Sequence, residues 1–431
     1  MNIKYFVITA ALVAGVQSLF AQQTISLEQS RKAALAYSTA IKNGQLNINS
    51  AEAGIISARS NHLPSVSGTG VALHSFKDLV QPIPGVLDKG INNLYLFGLT
   101  ASQAVYSGGK ILTGEQLASL QLEASNIRAR QSVDSVLLLT EQKYWNIVNL
   151  QEQTRTIKAN EALLRNLLKM QQDMLASGLI ARNDLLKVKV QLSQLLVNKS
   201  SLNNSRMLAL YDFCAYTGMQ FDSTMVMEDS FEKEPLMSSQ EASPDTSLTH
   251  VENYQLLALQ VRNSSLQSRL TQADNLPSLS VGLSASQVGS FNGAFKSTFT
   301  PMAFGTLSIP ISENIWGGNR QKVKQRKLNE QIAQNNLTDG RNQLKVGILK
   351  SWYDMKDALT QISYAKDNLT QATENLKVNQ DNYKAGLSTV TDVLDAQASY
   401  QQAAVTLNTS FTNLQIKNAS YRFATGTINK M

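Results

Sequence analysis

A chain of 431 residues has room for two or three ordinary domains, yet only 16% of it is charged and 7% aromatic, low values for a compact enzyme. Ser, Asn and Gln carry the polar share instead, which suits long water-facing elements better than one large core. The formal charge of +7 reads as spread along the chain, which argues against a nucleic-acid footprint, and Cys214, the only cysteine, leaves no intrachain disulfide to hold the fold.

Residues 1–21 read as a secretory signal: Lys4, an apolar run from Tyr5 to Val16, then Ser18-Leu19-Phe20-Ala21. The run is too short to span a bilayer as a helix. No cysteine follows Ala21 directly, so an N-terminal lipid anchor is not expected. Later segments offer no run of about eighteen apolar residues, so no membrane-spanning helix is expected either.

Helical spacing holds from Ser26 to Asn61 and stops at Leu63-Pro64. Ser65 to Phe76 reads as a strand, followed by a loop with Pro82, Pro84 and Gly85. Asn93 to Tyr106 reads as a second strand, with Tyr95, Phe97, Leu99, Ala101 and Val105 on one face. Gly108-Gly109 then turns into a proline-free helix from Lys110 to about Leu175, a rod on the order of 100 Å long. Gly178 breaks it, and a return helix from Asn183 to Tyr216 carries Leu185, Val188, Leu192 and Leu195 at coiled-coil spacing.

Residues 219–247 form an acidic, Ser-rich connector with Pro235 and Pro244. The programme then repeats in 248–431: a helix to Asp274, Leu276-Pro277, a β-hairpin over 278–315, Trp316-Gly317-Gly318, a second proline-free rod to Lys384, a break at Gly386, and an apolar helix. Tyr144-Trp145 against Trp352-Tyr353, Gly178 against Gly386, and Gly218 against Gly426 fall at one constant offset. This predicts a duplication, with 22–218 as the first structural repeat and 248–431 as the second.

Two hairpins give only four strands, whereas a membrane barrel needs about eight or more. An unclosed sheet in lipid would leave backbone groups unpaired. If these strands enter a membrane, several chains must therefore share one barrel, and the rods need partner helices to cover their apolar seams.

The Leu-Pro steps before strands, the aromatic-Gly-Gly turns at Tyr106 and Trp316, and Tyr383-Lys384-Ala385-Gly386-Leu387 through Asp392-Val393-Leu394-Asp395 together resemble the TolC family of outer membrane factors. The resemblance covers about Ser26 to Thr427. It implies a mixed, mainly α membrane protein: a homotrimer with a twelve-strand outer-membrane β-barrel continuous with a twelve-helix periplasmic α-barrel. It also implies an exit duct for efflux or type I secretion, working with a periplasmic adaptor protein and an inner-membrane transporter of RND or ABC type, set in outer-membrane lipid.

By resemblance, Asp392 and Asp395 match a pair of acidic residues at the periplasmic entrance gate. The spacing alone also fits two carboxylates on a solvated face near a helix N-terminus. Asp184 and Tyr383 match an entrance lock, in which the basic residue expected two positions after the second glycine is Ser388; Arg182 and Lys384 are the nearby candidates to replace it. Gly178, Leu179, Gly386 and Leu387 match tips that dock the adaptor, although a glycine is needed to end a helix there in either case.

No catalytic residue, cofactor site or metal site is expected: His62, His74 and His250 lack ligand spacing, and no nucleophile elbow or phosphate loop occurs. Trp145 and Trp352 read as helix packing. A porin-like pore and a coiled-coil envelope tether remain as other readings. The former has no need of such rods, and the latter leaves the strands without a purpose.

Overall fold

The computed structural model describes residues 24–231, 243–294, 296–311 and 315–430. The expected signal segment therefore lies outside the described residues, as does Pro235 of the expected connector. Two compact units emerge, one from 43–130 with 252–343 and the other from 1–42, 131–251 and 344–431. Each unit draws on both halves of the sequence, because the long helices run from one unit into the other.

The first unit is built on a four-stranded antiparallel sheet, β2 (Ser65–His74), β3 (Asn93–Tyr106), β5 (Ser278–Gly289) and β6 (Thr298–Ser308), in spatial order β2-β3-β5-β6. Two hairpins thus lie side by side, joined through β3 and β5 in a register that places Leu99 opposite Ala285 and Thr100 opposite Ser284. The expected single face of β3 does not run its full length. Pairing slips between Ala104 and Tyr106, a bulge that takes Val105 out of the alternation.

Period-two alternation gives the sheet two unlike faces. One carries Leu99, Ala101, Leu283 and Ala285; the other carries Ser67, Thr100, Ser102 and Ser284. Neither is covered by the described residues: every residue of β2 and β6 is exposed, and Leu99 and Leu283 are 64% and 66% accessible. No Asp, Glu, Lys or Arg occurs in the four strands. At the loop end Asn292 ties the two hairpins together, its Nδ2 donating to Gly90 O at 3.0 Å and its N–H to Asn93 Oδ1 at 3.1 Å. The helix α5 (Glu252–Ala273) completes this unit with the adjoining parts of longer helices.

The second unit holds α1 (Leu27–Tyr37), most of the rods α3 (Lys110–Ala176) and α6 (Gly318–Lys384), and the return helices α4 (Arg182–Thr217) and α7 (Val390–Ala424). Both rods are 67 residues long. Ser26 starts α1 through a capping box with Gln29. The helix expected from Ser26 to Asn61 is divided at Ser38, whose ψ of 122° takes it out of the helical region before α2 (Thr39–Ser60) begins. The break follows Tyr37, whose ring packs so tightly on Gly218 that a Cβ there would lie 2.3 Å from it.

The core of this unit joins Ile25, Tyr144, Trp145, Ile147, Val148, Leu210, Phe213 and Met227. Into it comes a short parallel pair, β1 (Thr24–Ile25) with β4 (Val226–Met227), which two-residue strands without a period cannot announce in sequence. The Tyr144 hydroxyl donates to Asp229 Oδ2 at 2.6 Å, and burial pushes its ionisation well above the ordinary phenol range. Nearby, Glu141, almost wholly buried, is held between Arg31 and Arg422, the latter at 2.6 Å. Burial likewise raises the Cys214 thiol pKa, so it behaves as packing. Leu185, Val188, Leu192 and Leu195 are all buried, as their spacing predicts.

Candidate functional site: the two helix-hairpin tips

Five residues, 177–181, join α3 to α4, and five more, 385–389, join α6 to α7. Each turn ends its rod in the same way. Gly178 has φ +70° and Gly386 φ +75°, values that only glycine adopts without strain. Leu179 N–H donates to Met174 O at 2.9 Å, and Leu387 N–H to Asn382 O at 2.8 Å. These six-residue loops, with the glycine in the left-handed region, are Schellman caps that satisfy the last carbonyls of each rod.

The residue after each glycine is left in solvent. Leu179 is 72% and Leu387 77% accessible.

The restart differs between the tips. Before α4 stands Ala181, in cap geometry at φ −78° and ψ 149° but with no side-chain bond. Before α7 stands Thr389, whose hydroxyl accepts from Asp392 N–H at 3.3 Å, while Asp392 Oδ2 accepts from both Thr389 N–H and Thr389 Oγ1 at 2.7 Å. That is a full capping box with Asp in the third position. The Thr389 hydroxyl, and then its N–H, hold the Asp392 carboxyl below the usual carboxylate range.

Asp392 and Asp395 are both exposed, and their spacing of three places them on one side of α7. Asp392 therefore has a local role, closing the cap.

Asp184 and Tyr383 belong to separate groups. Asp184 accepts from Lys187 Nζ at 3.2 Å, and the same ammonium donates to Thr391 Oγ1 on α7 at 3.1 Å. Tyr383 instead accepts a short hydrogen bond from Gln171 Nε2 and reaches Met174 Sδ at 3.7 Å. Among the described residues neither Arg182 nor Lys384 bonds Asp184 or Tyr383. Lys384 pairs with Asp381 at 3.1 Å, Arg182 is exposed, and the Ser388 hydroxyl donates to Asn379 O at 3.3 Å. Beneath both groups, Leu167, Val188, Val390 and Val393 form a buried cluster drawing on three helices, with Tyr383 of the fourth packed against it.

Sequence reading passed over Lys187, Gln171 and Thr391. The signal for Lys187 was present: it follows Asp184 by three positions, and at the constant offset it occupies the place that Asp395 holds in the second tip. Gln171 had no such signal, since a buried glutamine on a rod looks like any solvated one until its neighbours are known. Among the described residues no helix is long and apolar enough to cross a membrane, and no group of His, Cys, Asp and Glu could hold a metal.

The sequence matches the family described as outer membrane efflux protein over residues 30–218 and 248–427. It is 23% identical to the outer membrane protein TolC of Salmonella enteritidis over 308 residues, an alignment that spans 69% of this chain and 62% of that protein. To the outer membrane protein TolC of Escherichia coli K12 it is 23% identical over 361 residues, 79% of this chain and 71% of the other. The fold is similar to that of the outer membrane protein VceC from Vibrio cholerae, with a TM-score of 0.77, 16% identity, and coverage of 93% of this chain and 96% of VceC. This mainly helical chain, with its four-stranded sheet and paired helix hairpins, belongs to the outer membrane efflux protein family.

Proposed function

We propose that three copies of this chain close one β-barrel in the outer membrane and bundle their helices into a periplasmic α-barrel, forming the exit duct of an efflux or secretion system. The observation that carries this reading is the bare four-stranded sheet. Its edges, β2 and β6, have no partner within the described chain, one face is mostly apolar, the other is rich in hydroxyls with Leu96, Met302 and Phe304 among them, and no Asp, Glu, Lys or Arg lies in the four strands. In water such a sheet is an aggregation hazard; in lipid its open edges would leave backbone groups unsatisfied. Edge-to-edge closure by three chains removes both penalties and turns the apolar face to lipid and the hydroxyl face to a lumen. Strands of 10, 14, 12 and 11 residues are long enough for tilted crossing of the hydrocarbon core. The chain is then a tandem pair of structural repeats, 22–218 and 248–431, joined by 219–247.

The tips are the periplasmic mouth. Asp392 and Asp395, repeated three times, make two rings of carboxylates that favour cations and repel anions in a narrow opening. Lys187, Asp184 and Thr391 join one hairpin to the other, and Tyr383 with Gln171 joins the two rods, so the mouth is shut by two separate polar groups. Lys187 takes the part that a base at Ser388 would play. The exposed Leu179 and Leu387 dock a periplasmic adaptor, which couples the duct to an inner-membrane transporter of RND or ABC type.

The test has two arms. Purified protein reconstituted from outer membranes should run as a heat-modifiable trimer and form channels in planar bilayers; a monomer without conductance sinks the duct reading. Lys187→Met should raise single-channel conductance and drug leakage while the trimer persists. Unchanged conductance would remove Lys187 from the lock.

A further inference from the structure

Five cations fall within eight residues at the start of α6: Arg320, Lys322, Lys324, Arg326 and Lys327. The charge surplus is therefore not spread evenly, as the composition suggested, but concentrated where the chain leaves the sheet. All five side chains are exposed. Among the described residues Arg320, Lys324, Arg326 and Lys327 form no ion pair, and no acidic residue occupies the first turn. The position is unfavourable for helix formation alone, since the positive end of the macrodipole repels cations. The corresponding start of α3 is different: Lys110 is paired with Asp274 at 2.9 Å, and Glu115 with Arg59 at 2.7 Å.

Just before the cluster Ile315 and Trp316 are exposed, Trp316 being 84% accessible. An exposed tryptophan at the end of an uncovered apolar sheet, followed within one helical turn by basic side chains, has the composition of a membrane-water boundary. Positions 320, 324 and 327 share one stripe of the helix, which aligns three charges toward a single surface.

We propose that residues 315–327 bind anionic phospholipid headgroups of the leaflet from which the helices emerge. This rests on the outer-membrane reading of the sheet. Ile315 and Trp316 enter the interface, and Arg320, Lys324 and Lys327 meet the phosphates beside it. The headgroups supply the negative charge that the first turn of α6 lacks.

Trp316 is also the natural reporter, because Trp145 and Trp352 are buried. The full-length trimer is placed in nanodiscs in which either phosphatidylglycerol or phosphatidylcholine carries brominated acyl chains, at equal mole fraction. The expected result is about fivefold more effective quenching of Trp316 by the phosphatidylglycerol, falling as salt is raised. The triple variant Arg320→Gln, Lys324→Gln, Lys327→Gln should insert as the same heat-modifiable trimer and lose that preference. Equal quenching by the two lipids, a preference kept by the triple variant, or loss of the preference on adding millimolar inorganic phosphate at constant ionic strength would overturn the proposal. The last result would identify a site for free phosphate. Failure to insert as a trimer would count against the duct itself, and is read separately from the quenching.

Discussion

The two hairpin tips share a backbone and differ in chemistry. Both end a 67-residue rod on a left-handed glycine, both close the same cap, and both leave a leucine in water. Yet only the second restarts with a capping box, and only the first places a lysine where the second has Asp395. The rod ends are constrained by geometry, because a helix must reverse within five residues and satisfy its last carbonyls. The restart is not constrained in this way, since an uncapped N-terminus costs only about 1 kcal/mol. Divergence has gone into the part that a helix hairpin tolerates.

The sharpest way to break this comparison is at the glycines. Gly178→Ala and Gly386→Ala should each destabilise the helical hairpins by about 1–2 kcal/mol. The two losses should be equal, because no atom lies within 4 Å of either added Cβ and the cost is purely backbone strain. Urea unfolding of the purified protein followed by circular dichroism measures both; unequal losses would mean that the turns are not equivalent.

Next in size is the cap. Thr389→Ala removes the hydroxyl that serves Asp392 N–H and should cost about 1 kcal/mol in the same assay. The reverse experiment is Ala181→Ser at the first tip, where the backbone already has cap geometry. It should add roughly 0.5–1 kcal/mol. If neither substitution moves the midpoint, the tips are held by the cluster of Leu167, Val188, Val390 and Val393 and not by their caps.

The smallest effect is that of pH. The folded pKa of Asp392 is depressed by Thr389, so its contribution is present above the unfolded value, about 4, and is lost as pH falls through the folded value. Acidification through that window should therefore loosen the second tip selectively. Amide exchange corrected for intrinsic rates should show faster opening at Thr389 and Asp392 below about pH 4, with no matching change at Ala181, and the difference should vanish in Thr389→Ala. Equal acceleration at both tips would assign the effect to some other group.

Much of this site was legible in sequence. Glycine at matching offsets, followed by Asp and a resumed apolar helix, predicts two reversals, and the buried Leu185, Val188, Leu192 and Leu195 were visible as a seam. The residues that join one hairpin to the other were not. The Lys187–Thr391 contact and those of Gln171 and Met174 with Tyr383 form only when distant helices are brought together, and sequence spacing reports faces within one helix, not contacts between helices. The β1–β4 pair escaped for a related reason, being too short for any period to register.

The sequence by itself determined where elements begin and end, because proline, glycine and apolar periodicity act on neighbours a few residues apart. It determined the rods, the hairpins, the two-faced strands and the reversals. Only tertiary structure decided that β3 pairs with β5, that Glu141 is buried between Arg31 and Arg422, and that Lys187 reaches Thr391 on another helix. Those outcomes depend on which distant surfaces bury each other, and a local pattern carries no information about the neighbour it will meet.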